Sequence, residues 1–276
     1  MQFGASFSLE KLQISDLVAI KRIGFDFAEF YINEFWTDLE ELKLQLIAVR
    51  DIMDSYDLFS VIHLPHLNTS LILEYDLWTN YIDRMSEQIA VIGQIGITNT
   101  LVFHGVFGRS EDPDDLSSKK IDKSKDLAII EWLNTAQKYQ MKLLLENTDE
   151  SVNDLKPVFQ RHKDLDFVFD IGHANILFHN SKHKTADDKI YSILDSFRKK
   201  IKHIHIHDNL GGYNESSDKH LPLGTGIINF TKFFTKLREM NYTKTVTIEI
   251  PNPKYQTIYL KASFKVLKEI LIEISQ

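Results

Sequence analysis

Nine carboxylates and imidazoles recur, one or two at a time, at the ends of short apolar runs: His63, His104, Glu146, Asp170, His173, His205, Asp218, His220 and Glu249. No thiolate accompanies them, because the chain has no cysteine. Nitrogen and oxygen donors of this kind suit zinc, manganese or iron(II), and several carboxylates together accommodate more than one ion. A buried carboxylate without a partner is costly, and a divalent cation is the usual partner where several converge. No single loop carries the nine, so only a fold that gathers strand ends can bring them together. The pattern points to a metalloenzyme holding one or more divalent ions, zinc or manganese among them.

The strands that must position them are visible in the alternation. Side chains two apart in a strand share a face. In residues 202–208 (Lys-His-Ile-His-Ile-His-Asp), His203, His205 and His207 share one face and Ile204 and Ile206 the other. Three imidazoles on one inward face are hard to explain as packing. Glu146 closes Leu143-Leu144-Leu145, Asp170 closes Phe167-Val168-Phe169, and Glu249 follows Thr245-Val246-Thr247-Ile248. Each residue alone has an ordinary reading. His104 suits a core or capping position, Asp170 with His173 suits a helix cap, Asp218 and His220 lie in a polar loop, and Glu249 precedes Pro251. Recurrence at every strand end from the third to the eighth favours ligands instead. His207 and Asp208 are read as neighbours that orient those ligands.

Eight apolar runs, at 3–7, 25–31, 59–63, 100–104, 142–146, 166–170, 202–207 and 245–250, alternate with amphipathic stretches at 38–53, 78–95, 125–139, 189–199, 229–240 and 255–274. Strand followed by helix, repeated, implies parallel strands with crossover helices. Eight such repeats in 276 residues predict a closed (β/α)8 barrel, a TIM barrel, with residues 1–276 as a single domain. The longest polar insertions, 108–125, 179–188 and 209–226, all follow a strand and would crowd the C-terminal face, where such barrels place their sites. Apolar residues at 43% and charged residues at 26% support a sizeable core, and a net charge of -7 argues against a protein that simply coats nucleic acid. The absence of cysteine, of a signal-like start and of a membrane-length apolar run gives a cytoplasmic location as the expectation.

The runs His63-Leu64-Pro65, Phe103-His104-Gly105, Glu146-Asn147-Thr148, Asp170-Ile171-Gly172-His173-Ala174, His205-Ile206-His207-Asp208-Asn209, residues 218–224 (Asp-Lys-His-Leu-Pro-Leu-Gly) and Glu249 together resemble the xylose isomerase-like barrel superfamily. The resemblance spans roughly residues 60 to 250 and implies one of two chemistries. In the isomerases and epimerases, the equivalents of Glu146, Asp170, His205 and Glu249 hold one divalent ion. The glutamates there act as acid and base, moving a proton between carbons through an enediolate. In the endonuclease IV branch, the equivalents of His63, His104, His173, Asp218 and His220 complete a trinuclear zinc cluster that cleaves a phosphodiester beside an abasic site.

Three departures separate this chain from the nuclease branch. The segment after His63 reads Leu-Pro-His-Leu-Asn, His104 is followed by Gly-Val-Phe-Gly, and the loop at 33–40 is acidic where a duplex clamp needs cations. The expectation is therefore a metal-dependent isomerase or epimerase of a sugar, sugar phosphate or related polyol, with Glu146 and Glu249 as the acid/base pair. The alternative is a zinc phosphodiesterase on abasic DNA or another phosphate ester, and a third reading is a binding barrel without activity. Phe35, Trp36 and Phe107 are candidates for stacking on a sugar ring, and Arg109 and Lys182 for a substrate phosphate. Homo-oligomerisation and the identity of the sugar are left open by the sequence.

Overall fold

The computed structural model describes residues 1–32, 38–66, 75–105, 116–177, 183–251 and 254–276. Strands and helices alternate in the order β1 (Gln2–Ser8), α1 (Ile14–Ile23), β2 (Phe27–Tyr31), α2 (Leu39–Ser55), β3 (Phe59–His63), α3 (Tyr75–Ile95), β4 (Thr100–His104), α4 (Leu116–Lys138), β5 (Lys142–Glu146) and α5 (Val152–Arg161). They continue as β6 (Asp166–Asp170), α6 (Ile171–Ala174), α7 (Ala186–Phe197), β7 (Ile201–Ile206), α8 (Phe230–Glu239), β8 (Thr245–Ile248) and α9 (Gln256–Glu273). The eight strands pair in parallel in sequence order, and β8 returns to β1, closing the barrel. The (β/α)8 architecture is the one the alternation predicts.

Local chemistry explains the helix starts. The carboxylate of Asp38 accepts from Glu40 N at 2.9 Å and Glu41 N at 3.1 Å, so α2 begins there and buries Leu42, Leu46, Val49 and Met53 at helical spacing. Asn229 caps α8 by accepting from Lys232 N at 2.9 Å. The sequence pattern passes over α1, α5 and the short α6. Pro157 lies inside α5 and argues locally against a helix, yet Ser151 and Asp154 form a capping box at its start and Leu155, Val158 and Phe159 are buried. Helix α4 also begins at Leu116, well inside the insertion expected over 108–125, because residues 116–125 are too polar to show an apolar period. Among the described residues, no helix is long and apolar enough to cross a membrane.

The interior is layered. Phe27, Val61, Val102, Leu144 and Val168, each no more than 2% exposed, form an apolar cluster of their own inside the barrel. Gly4 on β1 makes room for it: a Cβ at that position would lie 2.2 Å from the Phe27 ring. Two residues further along the same strands stand Glu29, His63, His104, Glu146 and Asp170, on the same face. Across neighbouring strands the register pairs Tyr31 with His63, His104 with Glu146, and Asp170 with His205.

Candidate metal centre

The last residues of β3, β4, β5 and β6 are His63, His104, Glu146 and Asp170; His205 is the penultimate residue of β7, and Glu249 follows β8 directly. Glu146 sits at the centre. Its Oε2 lies 3.0 Å from His63 Nε2 and 3.1 Å from His104 Nε2, and its Oε1 lies 3.1 Å from His205 Nδ1. His205 Nδ1 is also 3.1 Å from Glu249 Oε1 and 4.0 Å from Asp170 Oδ2. Three donor groups face the barrel mouth, each with one atom per residue within 4.8 Å of the others: His63, His104 and Glu146; Glu146, Asp170, His205 and Glu249; and His173, His207, Asp218 and His220. All nine residues singled out in the sequence fall into these groups. The candidates for ring stacking and phosphate binding, Phe35, Trp36, Phe107, Arg109 and Lys182, lie outside the described residues.

The imidazoles are pre-oriented. His63 Nδ1 is 2.9 Å from Leu64 O and His173 Nδ1 is 2.8 Å from Asn147 O, so each donates from that nitrogen and leaves Nε2 to face a carboxylate. His205 is turned the other way: its Nε2 lies 3.1 Å from both oxygens of Glu29, which leaves Nδ1 for the centre. Glu29, fully buried on β2, also meets His203 Nε2 at 3.0 Å and takes a hydrogen bond from Thr247 Oγ1 at 2.6 Å. The Tyr31 hydroxyl donates to Glu249 Oε1. Asp170 divides its labour, for Oδ1 caps α6 by accepting His173 N at 2.7 Å while Oδ2 has no hydrogen-bond partner.

Asp208 does not touch the ligands. Its buried carboxylate accepts from the backbone N–H groups of Asn209, Gly224, Gly226 and Ile228 at 2.8–3.2 Å, which folds the 209–228 segment back over the barrel mouth. Gly226 is required at that contact, because a Cβ there would lie 2.3 Å from Asp208 Oδ1. The segment delivers Asp218 and His220 to the site, with Asp218 Oδ2 3.1 Å from His173 Nε2 and 3.0 Å from His220 Nε2.

Burial and the neighbouring charges set which groups of the site hold protons. Burial opposes ionisation of Glu146, but the charges of His205 and His104 prevail and hold it well below the usual carboxylate range. Burial, then the charge of Glu29, pushes Glu249 well above that range. Burial draws His104 down to about 4 against the pull of Glu146. Burial also works against a charge on His173, yet Asp170 and Asp218 raise it to about 10. Several buried atoms still lack a well-aligned hydrogen bond: Asp170 Oδ2, His205 Nδ1 despite its 3.1 Å approaches to Glu146 and Glu249, both nitrogens of His207, Asp218 Oδ1 and His220 Nδ1. Convergent, unsatisfied imidazole and carboxylate atoms are what a divalent ion coordinates. The donor set fits a divalent metal ion.

Sequence reasoning missed Glu29 and Tyr31. Both alternate with Phe27 along β2, so a carboxylate on the inward face of an apolar strand was the available signal.

A family model of the xylose isomerase-like TIM barrel matches residues 17–270. The chain belongs to this family. It is 34% identical over 134 residues to one uncharacterized protein of Methanocaldococcus jannaschii, covering 44% of this chain and 41% of that protein. A second uncharacterized protein of the same organism is 31% identical over 131 residues, covering 47% of this chain and 50% of that one. The chain thus spans half or less of the length of the curated relatives it matches. Among solved structures, a D-tagatose 3-epimerase-like protein superposes with a TM-score of 0.75 at 23% identity, covering 100% of this chain and 98% of that one. A Thermus thermophilus protein, soaked with zinc chloride, gives 0.74 at 21% identity over 99% of both chains. D-Psicose 3-epimerase from Clostridium cellulolyticum, with D-tagatose, gives 0.73 at 11% identity over 98% of this chain and 99% of the other. At these identities the likeness is one of fold.

Proposed function

We propose that this xylose isomerase-like barrel is a divalent-metal-dependent isomerase or epimerase of a small sugar, sugar phosphate or related polyol, with residues 1–276 acting as one domain. The observation that carries the reading is the placement of two buried carboxylates, Glu146 and Glu249, each with an oxygen 3.1 Å from the same nitrogen of His205. Moving a proton between neighbouring carbons needs one group to take it and another to return it, and we read these two glutamates as that pair. Glu146, Asp170, His205 and Glu249 would hold one divalent ion, manganese or zinc, which when bound supplies Lewis acidity towards the substrate's vicinal oxygens. Tyr31 orients Glu249 through its hydroxyl, and Glu29 fixes the ring of His205 from behind. The apolar layer beneath closes the pocket floor to water and strengthens the electrostatics above it. The structural kinship with a D-tagatose 3-epimerase-like protein and with D-psicose 3-epimerase supports a ketose or its phosphate as the substrate class.

A specific observation favours a second reading. The donor groups containing His63 and His104 and containing His173, Asp218 and His220 adjoin the central one, an arrangement suited to a multinuclear zinc phosphodiesterase acting on abasic DNA or another phosphate ester.

The deciding experiment follows solvent deuterium into a panel of ketoses and ketose phosphates, with manganese or zinc supplied, beside an abasic-site duplex at low salt. The isomerase reading expects exchange into at least one sugar, abolished by Glu146→Gln and by Glu249→Gln with the circular dichroism unchanged. Cleavage of the duplex with no exchange across the panel overturns it in favour of the second reading. Exchange that survives both substitutions removes the acid/base assignment.

A further inference from the structure

We infer that His203 and Thr245 are positioning residues: acting through Glu29, they keep the ring proton of His205 on Nε2 and so offer Nδ1 to the ion. The inference rests on the metal-binding part of the proposed function and holds for either reaction.

The family resemblance assigns no role to Glu29, His203 or Thr245. His203 stands at a level where its neighbours are apolar. Register places it beside Val168 of β6, and its ring centroid is 5.9 Å from that of Phe27. It is fully buried, and an imidazole sunk at that level is costly unless its nitrogens are satisfied. Both are. Nε2 lies 3.0 Å from Glu29 Oε2 and 2.9 Å from Thr247 Oγ1, and Nδ1 lies 2.6 Å from Thr245 Oγ1.

The chemistry of the groups fixes where the protons go. A carboxylate accepts and does not donate, so each nitrogen that faces Glu29 must carry a proton. These are Nε2 of His203 and Nε2 of His205, the latter 3.1 Å from both carboxylate oxygens. The Thr247 hydroxyl donates to Glu29 Oε2 at 2.6 Å, which commits its single proton. A neutral imidazole protonated on Nε2 accepts at Nδ1. At His203 that nitrogen takes the Thr245 hydroxyl at 2.6 Å, much nearer than the hydroxyl's alternative acceptor, Lys202 O at 3.4 Å. At His205 the same nitrogen is turned to the centre, 3.1 Å from Glu146 Oε1 and Glu249 Oε1. The hydrogen bonds thus run in one direction from Thr245 through His203 into Glu29, and His205 donates into the same carboxylate. Glu29 is held on Oε2 by His203 and Thr247, which keeps it facing His205. A fixed carboxylate behind a ligand imidazole sets the ring's orientation and raises its basicity. Groups that merely filled space would satisfy one another equally well, but the ion would be indifferent to their loss.

The test uses protein labelled with nitrogen-15 in its histidines. Long-range proton–nitrogen spectra of the metal-free parent locate the His203 ring proton. Chelator competition gives zinc affinity for the parent, His203→Leu, Thr245→Val, Thr245→Ser, Glu29→Gln and the double variant His203→Leu/Glu29→Gln, with circular dichroism as the folding control. The proton should reside on His203 Nε2. His203→Leu should weaken zinc on the order of 10-fold, the lower end of what an orienting partner contributes. Thr245→Val should weaken it less, and Thr245→Ser should match the parent. The double variant should bind as Glu29→Gln does, because the two residues act in series. A proton on Nδ1, or on both nitrogens, overturns the inference. So does a His203→Leu protein that binds zinc as tightly as the parent, or a double variant in which the two losses add. Should His203→Leu fail to fold, the ring proton and the Thr245 variants decide, and equal affinity of Thr245→Val and the parent overturns the inference. A parent that binds no zinc overturns the proposed function instead, and the His203 ring proton, read without metal, still decides the direction of the hydrogen bonds.

Discussion

Two layers of the barrel interior stand one step apart on the same strands. The lower is Phe27, Val61, Val102, Leu144 and Val168; the upper, two residues on, is Glu29, His63, His104, Glu146 and Asp170. Both layers are buried except for part of His104, yet one is hydrocarbon and the other is wholly ionisable. The step between them is only about 6.6 Å along a strand. The lower layer needs nothing but shape, and Gly4 yields its own side chain so that the Phe27 ring can fill the axis. The upper layer is stable only through mutual pairing, imidazole against carboxylate, with unmatched atoms left for a cation. Stability and chemistry are thus stacked, and substitutions in the two layers should fail in different ways.

The largest effect is expected at Glu146, which joins the group of His63 and His104 to that of Asp170, His205 and Glu249. Glu146→Gln should strip metal from both groups and slow proton exchange on the order of 10²–10⁴-fold, the usual contribution of a positioned acid or base. Metal analysis and exchange rates on one preparation check this; retention of the full metal complement would break the upper layer's claim to be a ligand shell. Directly below it, Leu144→Ala should cost about 2–5 kcal/mol of stability through the cavity it leaves, while metal content is unchanged. Denaturant titration with metal analysis reads both. A large loss of metal without a loss of stability would erase the distinction between the layers. Glu29→Gln, in the upper layer but behind His205, should weaken the central ion by about 10–100-fold, as loss of a ligand's orienting partner does. Competition with a coloured chelator measures it.

Most of the upper layer is legible in the sequence because each candidate ligand ends its own apolar run, and a closed barrel converts strand ends into a ring. His63, His104, Glu146 and Asp170 announce themselves in this way. Glu29 does not. It lies two residues before the end of β2, and its partners His203 and His205 are 174 and 176 residues away, a pairing that exists only across the closed barrel. His207 is visible in the sequence as an inward imidazole, and the return of the 209–228 segment brings Asp218 and His220 against it. The helices divide in the same way. α2 shows a clear apolar period, whereas the start of α4 is polar and α5 contains Pro157, so their existence depends on the barrel they cover.

Glu150 sharpens the comparison from outside both layers. It is buried four residues past Glu146, and it accepts hydrogen bonds from Thr148 N at 2.7 Å and Thr148 Oγ1 at 3.2 Å. The upper-layer carboxylates Glu29, Glu146 and Asp170 are held down by imidazolium neighbours, whereas burial and then the charge of Asp149 raise Glu150 to about 7. The folded chain therefore binds this proton more tightly than the unfolded chain does. Its contribution to stability is fully present below the ordinary value of 4.5 and is lost as pH rises to about 7. Glu150→Gln keeps an oxygen to accept from Thr148 and removes the titration. The stability of the variant relative to the parent should climb between those two pH values and then level off, by about 1.4 kcal/mol for each unit separating the folded and unfolded pKa. Denaturant midpoints of both proteins from about pH 4 to about pH 8 provide the check, since contributions from the histidines of the barrel mouth cancel in the difference. Parallel curves would show that Glu150 is ionised in the fold, leaving the upper layer without its contrast.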